Sequence, residues 1–380
     1  LEVTPKFLLM EPDGNYLFAA DKNGTTLSWD IRKDEVSSLL TARLTSPGVE
    51  LTDLKFLMGG ISLLAGDSKG GIGQWFRHRN EFNQYELRKV REFKLANHPI
   101  SNIVSEKRRK GFIAYDTEGD FAVFYTTSHR KVLSYHLQQA PQAMVLNSRA
   151  EKLTVVHQDG SLHRYEIDNE HPDISWAALW NKVWYESYEE PTYTWQSSSG
   201  SDEFEPKFSI MPLAFGTLKA AFYAMLFALP LGICGAIYTA YFMAPAMRQM
   251  VKPVVEVMAS LPSVILGFIA GLWLAPVVEG NLAGTFSILL LMPLVLVGFG
   301  LLWHHSPISI RLKVKDGWQA ALLVPVIILA CVFFWQMGFV IEDSFFHGDL
   351  RGQMNNVWGF DFEQRNALIV GIAMGFAVIP

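Results

Sequence analysis

Ser62-Leu-Leu-Ala-Gly-Asp-Ser-Lys-Gly70 is a short apolar run that ends in a polar turn, with Trp75 following in the next stretch. The same pattern, a polar residue, two residues, Gly, and an aromatic eight positions after the start, occurs four times. Its copies are Asp21-Lys-Asn-Gly24 with Trp29, Asp67-Ser-Lys-Gly70 with Trp75, Asp116-Thr-Glu-Gly119 with Phe124, and His157-Gln-Asp-Gly160 with Tyr165. Their starts are 46, 49 and 41 residues apart, and the apolar runs 16–20, 62–65, 111–115 and 152–156 precede them. Each copy reads as a hairpin, because Gly supplies the positive φ that a tight turn between two short strands requires. The aromatic residue is expected to pack between neighbouring units, and the turn residues to have a structural role.

Charge divides the chain at Glu205. Residues 1–205 hold 23 Lys+Arg and 29 Asp+Glu, whereas 206–380 hold 9 and 8. Two solvents are implied, water for the first part and lipid for the second. An aromatic content of 13% argues against disorder, and two cysteines against a disulfide scaffold. Cys234 and Cys331 lie in apolar runs and read as packing residues. A net charge of −5 without a strong basic block argues against a nucleic-acid partner; the one basic cluster, Lys-Arg-Arg-Lys at 107–110, reads as a solvated loop tip. His98, His129, His157, His163 and His171 lack metal-ligand spacing, so no metal is expected. Nucleophile elbow, P-loop and dinucleotide fingerprints are absent, so neither a catalytic residue nor a cofactor is expected.

A four-stranded unit every forty-odd residues resembles the blade of a β-propeller of the WD40-like kind, over residues 6–174. A meander or sandwich with four similar hairpins fits the same pattern. The sequence opens on Leu1 rather than Met, so further blades upstream are expected. Between 175 and 207 come Trp176, Trp180, Trp184, Tyr185, Tyr188, Tyr193 and Trp195, then Ser197-Ser-Ser-Gly-Ser-Asp-Glu203. Such aromatic residues suit a membrane–water interface; a buried cluster beneath the repeats is the competing account.

Beyond Met211 the apolar stretches 213–243, 254–276, 284–303 and 318–340 each approach or exceed the roughly 20 residues that span a bilayer, and 367–380 begins a fifth. The loops 244–252 (Arg248, Lys252) and 304–317 (Arg311, Lys313 and Lys315 against Asp316) are basic and are placed in the cytoplasm. The loops 277–283 (Glu279) and 341–365 (Glu342, Asp343, Asp349, Asp361 and Glu363 against Arg351 and Arg365) are acidic and face outward, as does the amino-terminal domain. The expected organisation is an all-β, propeller-like extracytoplasmic domain (1–174), an aromatic interfacial linker (175–207) and an all-α polytopic transmembrane domain (208–380).

Gly216-Thr-Leu218, Ala228-Leu-Pro-Leu-Gly232 and Glu256-Val-Met-Ala-Ser-Leu-Pro-Ser263 with Gly267 resemble the permease subunit of a phosphate-specific ABC importer, the PstC type. Trp180-Asn-Lys-Val-Trp184 resembles the external stretch before that core, and Val378-Ile-Pro380 the end of a later helix. The stretch 284–340 departs from the family as an added pair of spans, and the cytoplasmic coupling motif is expected beyond Pro380. The resemblance implies inward movement of phosphate across a bacterial inner membrane. It also implies a second permease subunit, cytoplasmic ATPase subunits that hydrolyse ATP in place of this chain, and a periplasmic phosphate-binding protein. A permease for another oxyanion, or a membrane-anchored propeller sensor, is the alternative.

Five residues are candidates for the path. Pro262 removes a backbone hydrogen bond, so Ser260 and Ser263 on either side either offer donors to phosphate from a broken helix or pack within a kinked one. Glu256 is costly within hydrocarbon unless it pairs with Lys252 at the interface, and no substrate role is assigned to it. Lys219 either attracts anions or snorkels to the surface.

Overall fold

The computed structural model describes residues 4–32, 37–80, 82, 84–200, 204–314, 318–360 and 362–380. The chain forms two compact units, Leu1–Ala214 and Phe215–Pro380.

In the first unit, three four-stranded antiparallel sheets follow one another in simple up-and-down order. They are β1–β4 (Phe7–Met10, Tyr16–Ala20, Thr25–Asp30, Ser37–Arg43), β5–β8 (Leu51–Phe56, Ser62–Asp67, Gly71–Arg79, Tyr85–Lys94) and β9–β12 (Ile100–Ser105, Gly111–Asp116, Asp120–Tyr125, Arg130–His136). A three-stranded sheet, β13–β15 (Pro141–Leu146, Lys152–His157, Leu162–Glu166), comes next. Each repeat of the sequence is the turn between the second and third strands of one sheet. The leading Asp closes it: Asp67 Oδ1 accepts from the Lys69 and Gly71 amides at 2.8 Å, and Asp116 Oδ1 from Glu118, Gly119 and Asp120 at 2.9–3.0 Å. Where His157 replaces Asp in the fourth copy, Asp159 accepts from Ser161 N at 2.9 Å instead. Gly70 has φ +79°, and a Cβ there would lie 2.4 Å from the Ala96 carbonyl oxygen.

The sheets join through their alternate faces. Phe18 and Ala20 of the first sheet meet Leu54 and Leu63 of the second. Leu64 and Ile72 of the second meet Ile103 and Phe112 of the third, and Ile113 and Val123 of the third meet Leu153 and Val155 of the fourth. Each such buried Leu, Ile, Val or Phe side chain contributes about 1.5–3 kcal/mol. The repeat aromatics Trp75, Phe124 and Tyr165 all pack into the junction with the preceding sheet. Buried Asp53 also bridges the second and third sheets by accepting from Ile103 N at 2.7 Å. Successive sheets stacked face to face in this way make the unit an all-β, propeller-like array.

The aromatic segment divides in two. After α1 (Trp176–Trp180) and before the two-stranded pair β16 (Trp195–Gln196) and β17 (Lys207–Phe208), Tyr185 is buried and Trp184 packs edge-on to Phe76 and His78. Trp176, Trp180, Tyr193 and Trp195 are exposed. Asp202 and Glu203 lie outside the described residues.

The second unit is helical. α2 (Met211–Ile237) continues through a π-helical turn to Phe242; α3 (Pro245–Ala259) follows, and α4 (Ser263–Ile269) runs through a second π turn into α5 (Ala275–Gly280). α6 (Leu282–His305), the short α7 (Ile308–Arg311), α8 (Gln319–Phe346), α9 (Leu350–Asn356) and α10 (Ala367–Val378) complete it. Four stretches among the described residues are long and apolar enough to cross a membrane: Met211–Phe242, Ser263–Gly280, Leu282–His305 and Ala321–Phe346. Their windows bury little within the unit, so Leu, Val and Phe side chains such as Phe222, Leu290 and Leu329 face outward along them. A multi-pass membrane protein is the consistent reading, because only lipid suits so much apolar surface. One span differs from expectation. The apolar stretch 254–276 is not one helix, since the chain breaks between Ala259 and Ser263 and leaves Val254 and Glu256 on α3. Lys315 and Asp316 lie outside the described residues.

Candidate functional site

Pro262 has no N–H to donate and disfavours helical backbone at Leu261, so α3 stops there. Pro262 itself is extended (φ −62°, ψ 126°), and its carbonyl accepts from Ile265 N at 3.0 Å as α4 begins. Ser260 and Ser263 therefore stand on opposite sides of a break, neighbours only through the chain. The Ser260 hydroxyl donates to the Val257 carbonyl at 2.8 Å, closing its own helix; Ser263 is exposed in the first turn of α4. Glu256 is exposed on α3 with its Oε1 4.0 Å from Lys252 Nζ, the pair one helical turn apart. With Thr239, Ala240, Arg248, Val251 and Val255 these two line an open cleft of 380 Å³. Lys219 is exposed on α2, eight residues beyond Met211 and apart from the other four candidates.

Sequence reasoning passed over Asn281, the residue that organises the hairpin of α6 and α8. It is fully buried between Gly280 and Leu282; its Oδ1 caps α6 by accepting from Gly284 N at 2.8 Å, and its Nδ2 donates to the Trp335 carbonyl of α8 at 2.7 Å. The two helices meet at glycine. A Cβ on Gly338 would lie 2.3 Å from both Asn281 Oδ1 and Gly284 N. An Asn immediately before an apolar run, with Gly three residues on, is the signal that could have marked it. Nearby, Glu279 pairs with Arg351 and accepts from Gln364. That pair joins the two loops that the charge pattern assigns to one side of the membrane.

The amino-terminal unit holds a second polar assembly that the sequence did not announce. Lys110, expected on a solvated loop tip, is instead buried on β10's approach, where its Nζ donates to the Met58 carbonyl at 2.6 Å and to Glu186 Oε2 at 2.5 Å. Arg109 is also engaged, with Glu106 and the Asn169 carbonyl. The other Glu186 oxygen accepts from Ser62, which accepts from Gln74, whose Oε1 accepts from Arg91. Arg91 also donates to the Trp184 carbonyl at 2.6 Å, and Glu205 Oε2 accepts from Glu186 N at 3.0 Å. Burial, reinforced by the Glu186 carboxylate, pushes the Glu205 carboxyl up to about 7. Burial also lowers the Arg91 guanidinium and, less completely enclosed, the Lys207 ammonium. The assembly fastens the aromatic segment to the second and third sheets, with Lys110 and Glu186 as its direct ion pair.

Among the described residues no group of three His, Cys, Asp or Glu side chains is placed to hold a metal ion. No protein-family profile matches the chain. Over 93 residues the chain is 33% identical to the probable ABC transporter permease protein YqgH of Bacillus subtilis (strain 168), a match to 24% of this chain and 30% of that protein. The chain thus spans less than a third of that relative's length. Among solved structures, the mitotic checkpoint complex is similar at 13% identity over 44% of this chain and 53% of that one, with a TM-score of 0.33. The Cps50 (Swd1) β-propeller domain of Myceliophteria thermophila is similar at 12% identity, covering 42% and 50%, with a TM-score of 0.35. Those scores are low, and the fold rests on the sheet order and junctions described above. The permease similarity and the four membrane-length helices together make the chain partly similar to ABC transporter permeases.

Proposed function

We propose that this chain is the membrane-crossing permease subunit of an ABC importer that carries inorganic phosphate inward across a bacterial inner membrane. The observation that carries the reading is the 33% identity, over 93 residues, to a probable ABC transporter permease in a chain with four membrane-length helices. Phosphate is favoured by the motifs Gly216-Thr-Leu218 and Glu256-Val-Met-Ala-Ser-Leu-Pro-Ser263. On this reading a periplasmic phosphate-binding protein delivers the anion, and cytoplasmic ATPase subunits drive alternation. A second permease subunit completes the path, and this chain hydrolyses nothing itself. The broken segment 260–263 lines the inner mouth of the path, and a backbone that departs from helix there is tolerated where it faces water, a cavity or protein. The propeller-like unit stands on the periplasmic side, because the basic loop 244–252 belongs in the cytoplasm and α2 separates the two.

Purification of the full-length protein from its native membrane tests the assembly. An ATPase subunit should copurify, and ATP hydrolysis should rise when phosphate-loaded binding protein is added. Isolation of the chain without any ATPase, under conditions that keep other importers intact, would contradict it.

A further inference from the structure

α3 is flanked on both sides by membrane spans, yet it cannot be one. Its fifteen residues extend about 22 Å, short of the roughly 30 Å hydrocarbon core. Its side chains are sorted by face. Arg248, Lys252 and Glu256 recur at intervals of four and form one stripe, while Met250, Val254 and Val257 occupy the opposite side at 64, 59 and 62% exposure. Within this unit the apolar stripe therefore has little cover. The end of α2 supplies a further marker, since Tyr241 and Phe242, both exposed, stand immediately before the turn into α3. Aromatic side chains concentrate at the level of the headgroups.

We infer that α3 lies along the bilayer surface, with Met250, Val254 and Val257 in the acyl boundary and Arg248 and Lys252 turned to the phosphates of anionic phospholipids. An amphipathic helix with basic residues on its polar face binds in this way, its apolar side sunk below the headgroups. Lys252 is 76% exposed and only loosely held by Glu256, so its charge is available to a phosphate; Arg248 anchors the start of the helix by donating to the Ala240 carbonyl at 2.9 Å. The break at Leu261 and Pro262 then becomes the point where the chain leaves the surface and enters the membrane as α4. The inference rests on the multi-pass reading and is independent of the transported substrate.

Nitroxide labels placed singly at Met250→Cys, Val254→Cys, Val257→Cys, Gln249→Cys, Lys252→Cys and Glu256→Cys test it. The full-length protein, with Cys234 and Cys331 replaced by Ala, is reconstituted in vesicles of phosphatidylglycerol and phosphatidylcholine. Labels at 250, 254 and 257 should be relaxed severalfold more by oxygen than by a water-soluble nickel chelate, and those at 249, 252 and 256 the reverse. Equal access of nickel to all six would overturn the inference. Shielding of 250, 254 and 257 from both reagents would also overturn it, by showing that a protein covers the face. In a second comparison, Lys252→Gln should make the label at 254 shallower in phosphatidylglycerol vesicles and leave it unchanged in pure phosphatidylcholine. An identical response in the two lipids would remove the anionic headgroup from the account. The depth of the labels is read without any transport, so failure here is distinguishable from failure of the importer reading.

Discussion

Lys110 Nζ lies 2.5 Å from Glu186 Oε2, and the two side chains, 76 residues apart in sequence, are 1% and 5% exposed. The pair holds the aromatic segment to the propeller-like sheets from the inside. Removing one charge leaves the other buried without its counter-ion, a cost of about 3–5 kcal/mol. Glu186→Gln should therefore lower the thermal transition of the amino-terminal unit sharply, whereas Ser62→Ala, which removes a single neutral donor from the same carboxylate, should have a smaller effect. Calorimetry on the full-length protein checks the order; equal transitions for all three proteins would show that the pair contributes nothing.

The Glu205 carboxyl, raised to about 7 by burial and by Glu186, makes the same region sensitive to pH. In the unfolded chain this group releases its proton near its ordinary value of 4.5. Between 4.5 and 7 the folded state therefore binds more protons than the unfolded one, and stability falls as pH rises through that window. The contribution is complete below 4.5 and is lost above 7, a loss of order 3 kcal/mol. Glu205→Gln should flatten the decline, as read from urea unfolding across the window between 4.5 and 7. An unchanged slope in the variant would assign the dependence to another group.

Asn281 and Gly338 set how closely α6 and α8 approach. Asn281→Leu loses both the cap on α6 and the bond to the Trp335 carbonyl, and should destabilise the helical unit by about 2 kcal/mol. Gly338→Ala forces a methyl group against Asn281 and Gly284 and should lower stability in detergent by a similar or larger amount. A melting temperature unchanged in both variants would mean the contact is not made in solution.

The order of sides proposed from the charge pattern is one that labelling can read. Cysteines at Ser199 and His347 should react with an impermeant maleimide added outside the cell, and those at Gln249 and Ser309 only after permeabilisation. The Glu279–Arg351 pair requires that the loops carrying its two members behave alike. Opposite accessibility of cysteines next to Glu279 and Arg351 would invert one of the spans.

The repeats were legible because a turn of four residues can be closed in few ways: an Asp to cap the amides, a Gly to take positive φ, and an aromatic to fill the next junction. The spans were legible because lipid demands a composition that little else does. The sequence leaves a broken and a kinked helix both open at Pro262, and 254–276 reads as one span because hydropathy runs on through Val254–Val257 without a dip, while the charged stripe of Arg248, Lys252 and Glu256 shows only when read at intervals of four. Lys110 was misplaced for a different reason. Nothing local distinguishes it from Lys107 or Arg108, and its partner Glu186 comes near only once the second and third sheets have packed. Asn281 likewise depends on Trp335, a residue 54 positions away.

The central claim is inward transport of phosphate through this chain. Its most direct measurement is the initial rate of radiolabelled phosphate uptake in phosphate-starved cells lacking other high-affinity importers, with and without the full-length protein and its partner subunits. The account predicts uptake that requires the chain and is abolished when ATP is depleted. Uptake at the same rate in cells from which the chain has been deleted would contradict it.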